Sequence, residues 1–364
     1  MNKIKESPAL ISNDFQNFVK FMAKRFLRSI IVILGIITIV FILFRILPGD
    51  PARDLVGKFP TAERLAAVRE IWGLDKPVWD QYIIFMQKLI FEFDIGMSYD
   101  TSTPVLHELG LRFPATIELA LVSMMLAIMV GIPIGIISAY KQHTRTDYLS
   151  MILALVGVSM PIYWLGLMLQ GVFARDLGWF IGTGRIEPVL SSELNLYPFH
   201  TNFYLIDSFV MGIVEGNWVF FISTVENLIL PGIALATIPM AVIARMMRSS
   251  MIEEMRKDYV RTARSKGLRE RLVILKHVTK NALIPTITVI GLNFGALLGG
   301  AVLTETIFSW PGVGKYIWLS ITQRDTPVIM GFVMIVAIIF VFANMITDII
   351  YAYLDPRVRY YERD

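Results

Sequence analysis

The stretch from Arg245 to Ala282 reads RMMRSSMIEEMRKDYVRTARSKGLRERLVILKHVTKNA, and its charge decides the fold. It carries eleven basic residues (Arg245, Arg248, Arg256, Lys257, Arg261, Arg264, Lys266, Arg269, Arg271, Lys276 and Lys280) against four acids (Glu253, Glu254, Asp258 and Glu270). Long apolar runs lie on both sides of it. A basic segment between two membrane-crossing runs belongs on the cytoplasmic side, where loops hold the excess of Lys and Arg.

Beyond this segment the chain is apolar. Its 364 residues are 55% hydrophobic and 18% charged, whereas soluble domains carry about 25% charge. Six spans are expected, at about 26–47, 114–139, 149–174, 224–247, 283–304 and 328–354. At 1.5 Å per residue each covers roughly 33–40 Å, enough to cross a core of about 30 Å with some tilt. Lipid offers no hydrogen-bond partner, so each span must be a helix. The fold class is therefore all-α, a polytopic membrane protein of six transmembrane helices with a short cytoplasmic helix between spans 4 and 5. Cysteine is absent, which excludes disulfides, Cys-ligated zinc and thiol catalysis. The first apolar run starts near Phe26, is too long for a cleaved signal peptide and has no A-x-A-like site after it.

Charge fixes the orientation. With the N-terminus inside, the cytoplasmic segments and adjoining helix ends hold 22 Lys/Arg against 11 acids, and the other side holds 12 against 19. Both termini are then cytoplasmic, with 1–25 as the leading segment and 355–364 as the tail. Loops 48–113 and 175–223 lie outside. The first should contain helices at Thr61–Trp72, with Thr61 as N-cap and Gly73 past the end, and at Pro77–Phe91. Phe203–Ile222 is apolar enough to suggest a seventh span. Asp207, Glu215 and Asn217 oppose that, since a central acid costs roughly 2.5–3.5 kcal/mol, and a short interfacial or external helix is expected instead.

Within the basic segment, Asp258 reads as an N-cap and Gly267 as the residue just past a helix C-terminus. Tyr259, Val260 and Ala263 share one face of that two-turn helix, while Arg261, Arg264 and Lys266 project away. A second helix follows with Ile274, Val278 and Ala282 as its apolar stripe, and Pro285 should kink or break it. A purely electrostatic anchor would need the charge but not the capped helix.

At these residues the chain resembles the inner-membrane permease subunit of binding-protein-dependent ABC importers, in the dipeptide/oligopeptide/nickel class. Asp258-Tyr-Val-Arg-Thr-Ala-Arg-Ser-Lys-Gly267 and Asn281-Ala-Leu-Ile-Pro285 look like that class's EAA loop, with Arg261-Thr262-Ala263 standing where the general form has Glu-Ala-Ala. Leu47-Pro-Gly-Asp-Pro51, Arg112-Phe-Pro-Ala-Thr-Ile-Glu-Leu-Ala120, Ser159-Met-Pro-Ile-Tyr-Trp-Leu-Gly166 and Glu305-Thr-Ile-Phe-Ser-Trp-Pro-Gly-Val-Gly314 agree with it. So do Arg324-Asp325, Pro327, Asn344, Asp348, Tyr351 and Leu354-Asp-Pro-Arg357, and the likeness covers roughly 20–360.

The resemblance implies a heteromeric importer: this chain, a second homologous permease, two ATP-binding subunits and an extracytoplasmic solute-binding protein, set in membrane lipid and without nucleic acid. It makes 258–267 the coupling helix of segment 245–282, with Asp258, Tyr259, Val260, Arg261, Ala263, Arg264 and Gly267 as the ATPase-coupling residues. In that class selectivity rests largely with the binding protein; di- or oligopeptides come first from the breadth of the family, with nickel or an oligosaccharide as alternatives. Trp310, Pro311, Gly312 and Gly314 are candidates for an outer gate or a binding-protein docking element, or simply close spans 5 and 6.

Gly291, Gly295 and Gly299 repeat at four residues and suit close helix packing better than substrate contact. Gly131, Pro133, Gly135, Pro231 and Pro239 are points where spans can bend. Arg45, Glu118 and Glu226 sit toward outer span ends, where long side chains can snorkel, and Asp348 lies toward the inner end of span 6. A secondary transporter or channel would call for intramembrane charges or inverted repeats, and neither is visible. His107, His143, His200 and His277 are scattered and form no H-E-x-x-H pattern, and G-x-S-x-G is absent. Lys315 is followed by Tyr316, with Ser309 where a phosphate-binding loop begins with glycine, so ATP hydrolysis is expected in partner subunits and no cofactor here.

Overall fold

The computed structural model describes residues 8–46, 61–71, 75–195 and 200–354, with most of the side chains between residues 22 and 349. Apart from an isolated bridge between Met97 and Pro104, the described residues contain no β-structure. The principal helices are α1 (Pro8–Ile46), α2 (Val105–Tyr140), α3 (Arg145–Ser159), α4 (Ile162–Leu169), α5 (Tyr204–Glu215) and α6 (Val219–Met255). They continue with α7 (Asp258–Ser265), α8 (Thr279–Gly300), α9 (Val302–Ile307), α10 (Val313–Gln323) and α11 (Thr326–Leu354). Among the described residues, five helices are long and apolar enough to cross a membrane, and a bent pair counted as one span brings the number to six.

The core is the α2–α6 pair, the most extensive helix contact in the molecule. Ala115, Leu119, Ala120, Met124 and Ala127 of α2 meet Leu228, Leu235, Ala236 and Ile243 of α6, with Leu297 and Leu298 of α8 closing the cluster. Gly131 and Gly135 set the spacing. A Cβ at Gly131 would lie 2.8 Å from the Met240 carbonyl oxygen, and one at Gly135 would lie 2.7 Å from that of Ala244. Small residues at a helix interface let backbones approach this closely. Both helices run unbroken through their prolines, Pro114 and Pro133 in α2 and Pro231 and Pro239 in α6.

Several boundaries move from those read in the sequence. Span 2 begins at Val105, nine residues before the expected start, because Val105, Leu109 and Phe113 are buried against Val313, Ile317 and Val328. Three buried apolar side chains at about 1.5–3 kcal/mol each outweigh an interior proline at about 3 kcal/mol. Span 3 is not one straight helix. It turns by 99° between α3 and the helical segment Ile162–Asp176. Pro161 has no N–H to continue the ladder and forces Met160 into an extended conformation (φ −77°, ψ 126°). Span 5 is not broken at Pro285, which stays inside α8. The irregularity lies before it, as a π-helical turn at Val273–Val278.

The helix α5 has twelve residues, about 18 Å, and ends at Gly216 in the left-handed region (φ 72°). That is too short to cross a bilayer core of about 30 Å. In loop 48–113, a helix at Ala62–Ile71 follows Thr61, and another at Val78–Gln87 runs into a π-turn to Glu92. Gly73, Leu47-Pro-Gly-Asp-Pro51, the Arg45 and Asp348 side chains and residues 355–364 fall outside the described set.

Candidate functional site

The helix α7 hangs between the ends of α6 and the α8 arm, and its two faces differ. Val260 is fully buried and Ala263 nearly so, packed with Met247 and Met251 of α6, Ala139 of α2, and Val273, Ile274, Val278 and Ala282 of the following arm. The other face, Asp258, Arg261, Thr262, Ser265 and Lys266, is exposed. Of the residues expected to couple to an ATPase, Val260 and Ala263 thus point into the chain's own core. They root the helix, and its charged side is the side open to contact.

The entry differs from the sequence reading. Asp258 is not the N-cap but the first helical residue. Lys257 holds the cap position in extended conformation (φ −74°, ψ 151°) with no side-chain cap bond. Glu254 takes over the fastening: its carboxylate accepts from Lys257 Nζ at 2.5 Å and from Tyr259 Oη at 2.6 Å. Burial, reinforced by this bond to a carboxylate, pushes the Tyr259 hydroxyl up to about 12, so it stays a donor at any physiological pH. Asp258 faces Arg261 at 3.6 Å in full solvent, a pair worth little.

The exit follows the sequence. Gly267 is left-handed (φ 73°), and its N–H donates to the Arg264 carbonyl at 2.9 Å. Arg264 then makes a two-pronged ion pair with Glu270, Nε at 3.2 Å and Nη2 at 2.7 Å. The helix is thereby fixed at its start by Glu254, along its inner face by apolar contact and at its end by Glu270.

At the opposite end, the turn after α9 is a packed anchor. Trp310 is fully buried and its Nε1 donates to the Ala115 carbonyl at 2.8 Å. Glu305 is fully buried too. Its carboxylate accepts from Thr116 Oγ1 at 2.6 Å and from the Lys315 N–H at 2.9 Å, while Thr116 accepts from the Val313 N–H at 2.9 Å. Side chains at Gly312 or Gly314 would overlap that carboxylate or the backbone of Val302. Among Trp310, Pro311, Gly312 and Gly314, only Pro311 is exposed. Burial raises the Glu305 carboxyl to about 7 against the opposing pull of these donors.

Sequence reasoning missed Glu305 as the centre of this turn; its signal was two glycines seven and nine residues downstream. Glu118 does not snorkel: it is buried and accepts from Arg185 Nε and Nη2 at 3.1 and 2.6 Å and from the Leu205 N–H at 2.6 Å. Arg185 also lies 3.8 Å over the Tyr204 ring. Glu226, by contrast, is exposed. His200 is not isolated, since its Nδ1 lies 3.4 Å from the buried Asp207. Gly291 and Gly295 abut Thr347 and Phe340 of α11, where a Cβ would clash, and Gly299 faces Val336 at ordinary contact distance.

Comparison with known proteins gives two family matches. Residues 131–360 match the model described as binding-protein-dependent transport system inner membrane component, and residues 18–120 match its N-terminal counterpart. The dipeptide transport system permease protein DppB of Alkalihalophilus pseudofirmus is 46% identical over 93% of this chain and 98% of its own length. The di/tripeptide transport system permease protein DppB of Pseudomonas aeruginosa is 41% identical over 94% and 99%. The glutathione transport system permease protein GsiC of Pectobacterium atrosepticum is 35% identical over 94% and 99%.

Proposed function

Because this chain belongs to the family of inner-membrane components of binding-protein-dependent transport systems, we propose that it is the permease subunit of an ATP-driven ABC importer and forms half of a translocation path for di- or oligopeptides. The observation that carries this reading is α7: a short helix rooted by apolar contact in three neighbouring elements, with a polar and cationic strip left open. A rigidly held helix transmits the displacement of a partner to the spans that hold it. The printed names of the relatives, dipeptide, di/tripeptide and glutathione permeases, support a peptide substrate.

In this reading the end bearing α7 is cytoplasmic, both termini are inside, and residues 26–354 make up the transmembrane domain in the cell membrane. Two ATP-binding subunits hydrolyse ATP, one of them seated on Arg261, Thr262, Ser265 and Lys266. Tyr259, Val260, Ala263 and Gly267 hold that strip in place, and Asp258 and Arg264 border it. A second homologous permease completes the path, and a solute-binding protein delivers peptide to the opposite end, near Pro311.

The test is reconstitution with the partner subunits. A cross-linker at Thr262→Cys should capture an ATP-binding subunit, and uptake of a labelled dipeptide should need both ATP and the binding protein. Labelling of Thr262→Cys from the outside of intact cells, or uptake independent of ATP, would overturn the assignment.

A further inference from the structure

The bent third span is tied to the rest of the molecule in an unusual way. Of the fifteen residues of α3, only Asp147 is buried. Its apolar side chains are largely open, with Leu149, Ile152, Leu153 and Leu155 all more than half exposed. Asp147 is therefore the main fastening of α3 at this end, and the bundle supplies its partners from three directions. Arg248 of α6 donates from Nε at 2.7 Å and Nη2 at 2.8 Å. Ser138 Oγ of α2 donates to the same carboxylate. The His143 N–H donates at 3.0 Å, aimed there by a left-handed backbone (φ 61°) that a side chain other than glycine seldom adopts.

This clamp sits beside the root of α7. Met247 and Met251, which receive Val260 and Ala263, flank Arg248 on α6, and Ala139, in the same apolar cluster, follows Ser138 on α2. The same two helix ends thus hold α7 on one face and Asp147 on another. A two-pronged, charge-assisted pair fixes orientation as well as distance, so a shift of these ends carries α3 with it.

We propose that Asp147 and Arg248 are positioning residues that convey displacement of α7 to the bent third span, so that transport needs the pair even though neither residue touches nucleotide or peptide. This rests on the reading of α7 as the contact for an ATP-binding subunit. The pair does not merely hold the fold, and its loss should separate ATP turnover from transport.

The experiment uses the full importer in lipid nanodiscs and proteoliposomes, with spin labels at Leu153→Cys and Leu319→Cys, both exposed positions in a chain without cysteine. In the otherwise unaltered chain the label distance should change between nucleotide-free and ATP-trapped states. In Asp147→Asn, ATP-binding subunits should still co-purify and hydrolyse ATP, while peptide uptake falls about tenfold or more and the distance change is lost. Arg248→Lys, which keeps the charge but not the fork, should fall between. If Asp147→Asn fails to insert, Ser138→Ala removes one donor, keeps the ion pair and should cost about three- to tenfold in uptake. Normal uptake in the tested variant, or lost uptake with the distance change intact, overturns the proposal. An absent cross-link at Thr262→Cys would instead overturn the α7 reading, a result distinct from either.

Discussion

At one end of this molecule, α7 keeps its charges in solvent and roots itself through Val260 and Ala263. At the other, Trp310–Gly314 buries its ring and wraps a buried carboxylate, leaving Pro311 as its exposed residue. Both fix a few residues of chain against α2, but the first spends apolar area and the second a polar network. A helix with open charges can meet a partner without rearranging. A turn tied through Glu305, Thr116 and the Ala115 carbonyl can move only as a unit with α9, α10 and the start of α2, so the two ends should respond differently to substitution.

The largest expected effect is at the root. Ala263→Arg forces a charge into the apolar cluster, at a cost of several kcal/mol, and should abolish peptide uptake while the protein still reaches the membrane. Gly267→Pro should do the same, since proline cannot take φ 73°. Immunoblots of membrane fractions beside uptake assays check both; normal uptake in either would break the comparison. Next comes Gly314→Ala, whose Cβ would meet backbone at 2.7 Å. A loss of about 1–3 kcal/mol in thermal stability is expected, and an unchanged melting temperature would show that the turn yields easily.

Glu305 sharpens the contrast through pH. Its folded-state value of about 7 exceeds the ordinary 4.5, so the folded state holds the proton more tightly than the unfolded one. Its contribution is full below about pH 4.5 and is lost as pH rises to about 7, on the order of 3 kcal/mol at most. Melting curves of Glu305→Gln should lose that part of the slope. A wild-type curve that rises across this window would contradict the assignment. The smallest effect belongs to Arg264→Ala. Arg264 and Glu270 are each about two-fifths exposed, so about 0.2–1 kcal/mol is expected, with uptake within about fivefold of normal.

The two ends were unequally legible in the sequence. The basic end announced itself because charge between apolar runs is a property of composition, and Gly267 marks a backbone state only glycine takes cheaply. The spans were visible for the same reason, though Val105 and Phe113 show packing extending a helix through Pro114. Which way Val260 and Ala263 point was not legible, because two turns of helix have two sides and either could be inward. Nor were the partners of Glu118, Asp147 and Glu305. Each pairs across 67 to 189 residues, and nothing local in a sequence says which distant donor a buried acid will find. The 99° turn at Met160–Pro161 lay between: Pro161 was visible, but a proline in a span kinks it by an amount only the neighbours decide.

That turn has a further consequence. Where α3 stops, the Met160 N–H still reaches the Val156 carbonyl at 3.1 Å, but Pro161 has no N–H to offer the Gly157 carbonyl, and the helix ladder ends there. Hydrocarbon cannot satisfy bare carbonyls, although water or protein can. The corner lined by Val156, Ser159, Met160, Tyr163 and Trp164 is therefore expected to meet water or protein rather than lipid tails, and it gives a compass by which the whole subunit can be oriented within its assembly.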